Sequence, residues 1–227
     1  MTSDATRTPS DRLFPWLVAL AALATLTAAA GLIELHRVFK PLVMVSAMFF
    51  VAGHAYPTCS GARFGSPFKR WLLTALACSL AGDVALMFPG YFVPGLVAFL
   101  LAHLAYIALL KQGQAWFPSR PALLTTLGIG VAMYAVLWVG GLPAGLRGPV
   151  AAYVAVIALM AAQAIGRALA LRDPSAGWLA VGACCFMLSD TLLALNRFVV
   201  PLPLAPLWVL STYYAAQLLI VRHARPT

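Results

Sequence analysis

Charged residues are scarce in this chain, and acidic residues are the scarcest. Only 9% of the 227 residues are charged, and just six are Asp or Glu. In a soluble domain roughly a quarter of all residues are charged, so this composition excludes an ordinary soluble fold. The chain is 63% hydrophobic, with a mean hydropathy of +0.91. These values predict a polytopic membrane protein.

Signatures of several enzyme and binding classes are also missing from the sequence. There is no Walker loop, no GxGxxG after a strand, no HExxH and no GxSxG nucleophile elbow. The four cysteines, at 59, 78, 184 and 185, lack zinc-site spacing, and we interpret them as small apolar fillers. His54, His103 and two aspartates do not form a diagnostic ligand pattern. No metal or cofactor is therefore predicted.

Eight apolar segments approach the length of about 20 residues that a helix needs to cross a bilayer. They lie at 13–33, 41–56, 71–88, 91–111, 121–140, 149–169, 177–196 and 203–221. None shows the period of two that is typical of a strand, and in lipid only helices and closed barrels satisfy the backbone. We predict an all-α bundle of eight transmembrane helices over 13–221, with cytoplasmic tails at 1–12 and 222–227.

Basic residues are distributed unevenly between the two sides of this bundle. The side of the N terminus carries eleven Lys and Arg residues, and the opposite side carries four. Because basic loops face the cytoplasm, both termini are predicted to be cytoplasmic, and the polar N-terminal tail is not read as a signal peptide. The net charge of +9 is spread over short loops, which argues against nucleic-acid binding.

Two of the six acids, Asp83 and Asp190, lie in the middle of apolar runs, CSLAGDVALMF and CCFMLSDTLLAL. A carboxylate held in hydrocarbon is costly and usually marks a functional site. The surroundings of the two acids also match. Each acid follows a cysteine by five residues and precedes a proline by eleven and a tyrosine by twenty-three.

An internal repeat accounts for this match. A shift of 107 residues aligns 71–108 with 178–215 without gaps, and 11 of the 38 positions are identical. The offset joins the third and fourth segments to the seventh and eighth, which predicts a 4+4 duplication. Since four helices are an even number, the halves share one orientation and are related by an axis along the membrane normal. Both acids are then expected at one depth, facing a shared cavity.

Other polar residues lie near the acids or at the outer ends of the predicted helices. Neighbours three or four apart share a helix face. Alternatives remain open, since buried Tyr and His also serve as core residues and long basic side chains snorkel to the interface. The candidates are His103, Tyr106, Tyr213, Tyr214 and Gln217 inside, and Glu34, Arg37, Lys40, Asn196 and Arg197 outside.

The blocks GDVALMF with VPGLVAFLLAHLAYI, and FMLSDTLLALNRF with LSTYYAAQLLI, resemble the YhhN family of membrane proteins, which includes the animal lysoplasmalogenases. The resemblance covers roughly 32–221. It implies an eight-helix bundle that hydrolyses the vinyl-ether bond of lysoplasmalogens to a fatty aldehyde and glycerophosphoethanolamine or glycerophosphocholine. The motif matches are Asp83, His103, Tyr106, Asp190 and Tyr213, with Lys40 in a weaker match.

The implied chemistry suits two buried acids. Protonation of the vinyl-ether β-carbon gives an oxocarbenium ion, which water then captures. Either Asp83 or Asp190 is expected to act as the acid and the other as base or stabiliser, as two carboxylates share the work of glycoside hydrolysis. A hydrocarbon setting favours the protonated form that the acid needs. Arg37, Lys40 and Arg197 are expected to hold the phosphate of the lysophospholipid.

Two other functions fit the residues without the resemblance. Parallel repeats and buried acids also occur in proton-coupled transporters, so a carrier or flippase of lipids is one alternative. In the other, the acids only join helices by hydrogen bonds in a non-catalytic lipid-binding protein. The Arg-rich and Ala-rich composition is typical of a bacterial protein, so the expected location is the bacterial cell membrane.

Overall fold

The computed structural model describes residues 9–53 and 67–225, with side chains from residue 13 onward. The predicted tail positions 1–8 and 226–227, as well as His54 and Cys59, lie outside the described residues. Within the described ranges the chain forms eight α-helices and no strand, which confirms the all-α prediction. The helices are α1 (Pro9–Ala29), α2 (Ile33–Gly53), α3 (Pro67–Leu86), α4 (Phe92–Lys111), α5 (Arg120–Val139), α6 (Ala144–Leu171), α7 (Pro174–Phe198) and α8 (Ala205–His223).

Several helices have the length and composition of membrane spans. By these two criteria α2, α4, α5, α6 and α7 qualify among the described residues. Large apolar side chains also cover the outside of the bundle, where Trp16 and Leu124 are both 71% exposed. An apolar outer surface of this kind needs lipid around it. The protein is therefore a multi-pass membrane protein.

Two helices begin five or more residues earlier than the hydropathy of the sequence indicates. Helix α2 starts at Ile33 instead of residue 41, and α6 starts at Ala144 instead of residue 149. Pro41 and Pro149 consequently lie inside helices, which bundles tolerate when neighbouring groups satisfy the freed carbonyl. The predicted second segment starts only after Glu34, Arg37 and Lys40, because charged residues lower the hydropathy. The helix in the structure includes all three. Lys40 thus lies two turns inside α2.

Seven of the helices close a ring. Helices that follow each other in the chain pack in pairs, α1 on α2, α3 on α4, α5 on α6 and α7 on α8. The ring is completed by packing of α2 on α3, α4 on α6, α6 on α7 and α8 on α1. Helix α5 lies outside the ring against α6, with a small contact to α7.

An aromatic cluster fills the interior of the ring. Phe186 of α7 is fully buried, and its ring centre lies 4.7 Å from that of His103 and 5.4 Å from that of Tyr213. Phe99 of α4 packs on the same ring at 6.3 Å. Edge-to-face pairs of this kind each stabilise a fold by about 0.5–1.5 kcal/mol. The cluster fixes the spacing of α4, α7 and α8.

Gly82 brings α3 close to α4 directly beside Asp83. A Cβ atom added at this glycine would lie 2.5 Å from Cδ2 of Phe99, a distance that real side chains do not adopt. The absent side chain therefore lets the helix that carries Asp83 approach the aromatic cluster.

Candidate active site

Asp83 has a hydrogen-bond donor at each carboxylate oxygen. The residue is 1% exposed. Its Oδ1 lies 3.2 Å from Nζ of Lys40 on α2, and its Oδ2 accepts a 2.6 Å hydrogen bond from the hydroxyl of Tyr213 on α8. Two oxygens that both accept form the hydrogen-bonding pattern of an ionised carboxylate. Lys40, Asp83 and Tyr213 together join α2, α3 and α8 at one point inside the bundle.

A chain of polar side chains holds Tyr213 in place. The Gln217 side-chain amide donates to the Tyr213 hydroxyl at 3.4 Å, and its Oε1 accepts a 2.6 Å bond from Tyr106 on α4. The Tyr213 hydroxyl also lies 3.4 Å from the sulfur of Met44. All four residues are buried, so the orientation of the phenol is determined by packing as well as by hydrogen bonds.

Asp190 on α7 is bonded differently. Its Oδ2 accepts a 2.5 Å hydrogen bond from Tyr153 on α6 and lies 3.3 Å from Nε2 of His103 on α4. That nitrogen is also 2.9 Å from the Tyr153 hydroxyl. Since the single Tyr153 proton points to Asp190, His103 carries its proton on Nε2 and donates. Within the described part of the chain, Oδ1 of Asp190 receives no hydrogen bond.

The two halves of the chain therefore support each other's acid. Asp83 on α3 is held by Tyr213 on α8, and Asp190 on α7 is held by His103 on α4. The reciprocity is not exact, because Tyr213 corresponds to Tyr106 under the 107-residue shift and His103 lies one turn before Tyr106.

Both acids line a single cavity of about 320 Å³. Its wall includes the start of α2, the end of α3, the end of α7 and the start of α8, so it lies in the half of the bundle opposite the N terminus. Lys40, Tyr213, His36 and Asn196 contribute further polar groups to its wall. The cavity therefore presents two carboxyls, a cation and a phenol to the polar part of a bound molecule.

The structure does not bring the outer basic residues together. Arg37 pairs with Glu34 at 2.8 Å, and both are exposed. Arg197 is exposed and lies over the ring of Phe92, 4.0 Å from its centre. Lys40 contacts Asp83 instead of lying at the rim. The three cations expected to hold a phosphate therefore point to three different surroundings.

The other two predicted residues have separate roles in the structure. Asn196 lines the cavity, and its Oδ1 accepts a 2.8 Å bond from the backbone of Leu202, which shapes the α7–α8 connection. Tyr214 is buried, with its ring centre 5.2 Å from that of Tyr213, and its hydroxyl has no hydrogen-bond partner in the part of the chain that the structure describes. Tyr214 thus belongs to the core behind the site.

Tyr153 and His36 are site residues that the sequence analysis missed. Tyr153 contacts Asp190 and His103, and it is the one tyrosine within the predicted segment 149–169, which is a signal that was available. His36 lines the cavity, with its Nδ1 3.0 Å from the carbonyl of Ala24. Over 9–53 and 67–225, no group of three or more His, Cys, Asp or Glu residues is positioned to hold a metal.

Comparison with known proteins points to one family. The sequence matches the YhhN family over residues 35–224. It is 40% identical over 157 residues to the protein named Lysoplasmalogenase TMEM86B of Homo sapiens, covering 69% of this chain and 64% of that protein. It is 34% identical over 194 residues to the protein named Lysoplasmalogenase of Mycobacterium bovis, covering 82% and 70% of the two chains. The chain thus spans just under two thirds of the human protein's length. No solved structure matches it.

Proposed function

Because the chain belongs to the YhhN family, we propose that it is a membrane-embedded hydrolase that cleaves the vinyl-ether bond of lysoplasmalogens. The products are a fatty aldehyde and glycerophosphoethanolamine or glycerophosphocholine. The observation that carries this proposal is the cavity of about 320 Å³ that both Asp83 and Asp190 line. Vinyl-ether hydrolysis needs a proton donor and a stabiliser of positive charge, and this cavity contains one carboxyl for each task.

The hydrogen bonds favour Asp190 as the proton donor. Only one of its oxygens accepts hydrogen bonds from the described residues, so Oδ1 can hold a transferable proton toward the cavity. Both oxygens of Asp83 already accept, one from Lys40 and one from Tyr213. Asp83 is therefore suited to remain an anion and stabilise the oxocarbenium ion, as preorganised charges do in closed sites.

The reaction then balances with these two groups. The proton leaves Oδ1 of Asp190 and bonds to the β-carbon of the vinyl ether, which leaves the positive charge shared by the α-carbon and the ether oxygen. Water adds to the α-carbon and returns a proton to the Asp190 carboxylate. The resulting hemiacetal breaks its bond to the glycerol oxygen, which takes up the hemiacetal proton. Tyr153 and His103 orient Asp190 throughout, and Lys40 and Tyr213 orient Asp83.

The proposed membrane topology has eight spanning helices in two parallel halves of four. The packing supports it, because α1–α2–α3–α4 and α5–α6–α7–α8 each form a chain of neighbouring contacts. Helix α5 departs from this relation, since it lies outside the ring that its counterpart α1 helps to close. The basic residues favour cytoplasmic termini, so the cavity opens toward the outer leaflet of the proposed bacterial cell membrane.

The decisive experiment is product analysis by mass spectrometry. Purified protein in nanodiscs is given an alkenyl lysophosphoethanolamine, with the saturated alkyl ether of the same chain length as the matched control. We expect one equivalent of fatty aldehyde per glycerophosphoethanolamine from the alkenyl lipid and no product from the alkyl ether. If neither lipid releases aldehyde, or both release products at the same rate, the proposed function is wrong.

A further inference from the structure

A second cavity is also lined by Asp190. It has a volume of about 70 Å³ and is formed mainly by α4, α5, α6 and α7. Its wall is almost entirely apolar, with Leu96, Met133, Leu137, Ile157 and Met187 among its side chains. Its polar side chains are Tyr153, Thr191 and Asp190. A cavity of this composition fits hydrocarbon and does not fit a phosphate or an alcohol.

The two cavities adjoin at the proton donor of the proposed reaction. Four residues line both of them, namely Leu86, Phe99, Asp190 and Leu193. Lys40, Asp83 and Asn196 line the larger cavity and are not part of the wall of the smaller one. A molecule that occupies both cavities therefore passes Asp190 at the point where its polar part ends and its apolar part begins.

We propose that the apolar cavity is the subsite for the alkenyl chain, an inference that rests on the proposed function. A lysoplasmalogen has a polar glycerophosphate end, a vinyl ether and a hydrocarbon chain, in that order. This order matches the larger cavity, the junction at Asp190 and the apolar cavity. The β-carbon that accepts the proton lies between the ether oxygen and the hydrocarbon chain. It therefore lies at the junction of the two cavities, where Asp190 lines both.

The size of the apolar cavity limits what it holds. A volume of about 70 Å³ accommodates the first few carbons beyond the double bond, and the rest of a long chain has to leave the protein. Helix α5 lies outside the ring and touches α7 only slightly, so the chain reaches lipid beside α5. Met133 of α5 and Met187 of α7 line this route, and the flexible side chain of methionine adapts to different occupants.

Gly130 defines the wall of this subsite on the α5 side. A Cβ atom added there would lie 3.1 Å from Cγ1 of Val154 on α6, so a side chain would push α5 away from α6 or narrow the cavity. Gly128, two residues earlier on the same helix, is exposed and has open space at its Cβ position. The two glycines form a matched pair in which Gly130 lines the subsite and Gly128 does not.

The first test fills the cavity. Ala194 of α7 lines it and is partly buried, whereas Ala132 of α5 is exposed on the outside of the bundle. We expect Ala194→Phe to raise the KM for a lysoplasmalogen with a hexadecenyl chain by about tenfold or more, a discrimination typical of a hydrophobic pocket. Ala132→Phe should leave the KM unchanged. An Ala194→Phe enzyme with the KM of the parent would overturn the proposal.

The second test uses the unaltered protein, so it does not depend on a variant that folds. The probe is a saturated alkyl lysophosphocholine, which cannot be cleaved as a vinyl ether, with a photoreactive diazirine on the third chain carbon. We expect cross-links on α5, α6 or α7 at residues that line the subsite, and loss of these cross-links in Gly130→Leu but not in Gly128→Leu. Cross-links confined to α1, α2 or α8 would overturn the subsite.

The two proposals fail in different ways. Aldehyde release together with cross-links away from the subsite would contradict the chain path alone. Cross-links within the subsite of a protein that releases no aldehyde would contradict the hydrolase and leave the lipid-binding subsite in place.

Discussion

The hydroxyl of Tyr213 donates a 2.6 Å hydrogen bond to Asp83, a residue 130 positions earlier in the chain. The bond joins α8 to α3 in a part of the bundle where both residues are buried. On the opposite oxygen of Asp83 lies the ammonium of Lys40. A carboxylate with a donor on each oxygen has the hydrogen bonds that suit a negative charge, and most of the expected effects of mutation follow from these two contacts.

Replacing the proposed proton donor should stop the reaction without unfolding the protein. In Asp190→Asn the amide oxygen can still accept from Tyr153, so the packing around α7 is kept. We expect aldehyde release to fall by at least about 100-fold, the lower end of general acid catalysis. Product analysis checks the rate, and thermal unfolding in detergent serves as the control for folding. Turnover at the parent rate would remove Asp190 from the mechanism.

Replacing Asp83 should affect stability as well as activity. Asp83→Asn leaves the Lys40 ammonium buried without its anion, which lowers the free energy of unfolding by about 3 kcal/mol. The double variant Asp83→Asn with Lys40→Met removes the unpaired cation, so we expect its unfolding temperature to return toward that of the parent. Its aldehyde release should stay low. Equal unfolding temperatures for the single and double variants would mean that the pair does not stabilise the fold.

Adjacent tyrosines on α8 provide a matched comparison. Tyr213→Phe removes a donor from a buried carboxylate, and we expect the free energy of unfolding to fall by roughly 1–3 kcal/mol and kcat to fall by about tenfold. Tyr214→Phe removes a buried hydroxyl that has no partner among the described residues, so kcat should be unchanged. Steady-state kinetics on both variants distinguishes a role in the site from general packing. Equal losses in the two variants would contradict a specific role for Tyr213.

Two arginines on the proposed outer side provide a second matched comparison, because only one of them lies beside a cavity. Arg197 lies over Phe92, a residue of the apolar cavity wall, whereas Arg37 is engaged with Glu34 on the exposed side of α2. We expect Arg197→Ala to raise the KM by several-fold, roughly 1 kcal/mol of lost binding, with little change in kcat. Arg37→Ala should change neither constant. The reverse pattern would mean that Arg37, and not Arg197, contributes to substrate binding.

The proposed orientation of the termini is tested by a reporter. A fluorescent protein that matures only in the cytoplasm, fused after residue 227, should fluoresce in intact bacteria, because the basic loops hold the C terminus inside. A periplasmic phosphatase fused at the same position should be inactive. An active phosphatase and a dark fluorescent protein would reverse the orientation, and the cavity would then open to the inner leaflet.

The convergence of Asp83 and Asp190 follows from features that are visible in the sequence. Both acids lie in apolar runs at positions related by the 107-residue shift, and the parallel halves that we propose would bring such positions to one depth. Tyr213 and Gln217 could be predicted because their spacing places them on one face of α8. Tyr153 was missed because the equivalent position under the 107-residue shift is Ser46, so the repeat gives no signal there.

The position of Lys40 could not be read from hydropathy. Its charge suggested the rim of the membrane, yet α2 begins seven residues before it, and the helix turns its side chain inward to Asp83. The location of α5 outside the ring was also invisible, because its sequence is as apolar as that of its neighbours. Which helices pack together depends on side-chain shapes across the whole bundle, and no local pattern records that.

The exchange of partners between the two halves has a bearing on biosynthesis. Tyr213 follows Lys40 and Asp83 in the chain, so Asp83 acquires its phenol partner only after α8 has been synthesised and packed. A polypeptide that ends before α8 carries both acids but lacks Tyr213 and Gln217, so under the proposed function we expect it to release no aldehyde. Under the proposed function, a site completed by its last helix would release no reactive aldehyde while the earlier helices are being inserted.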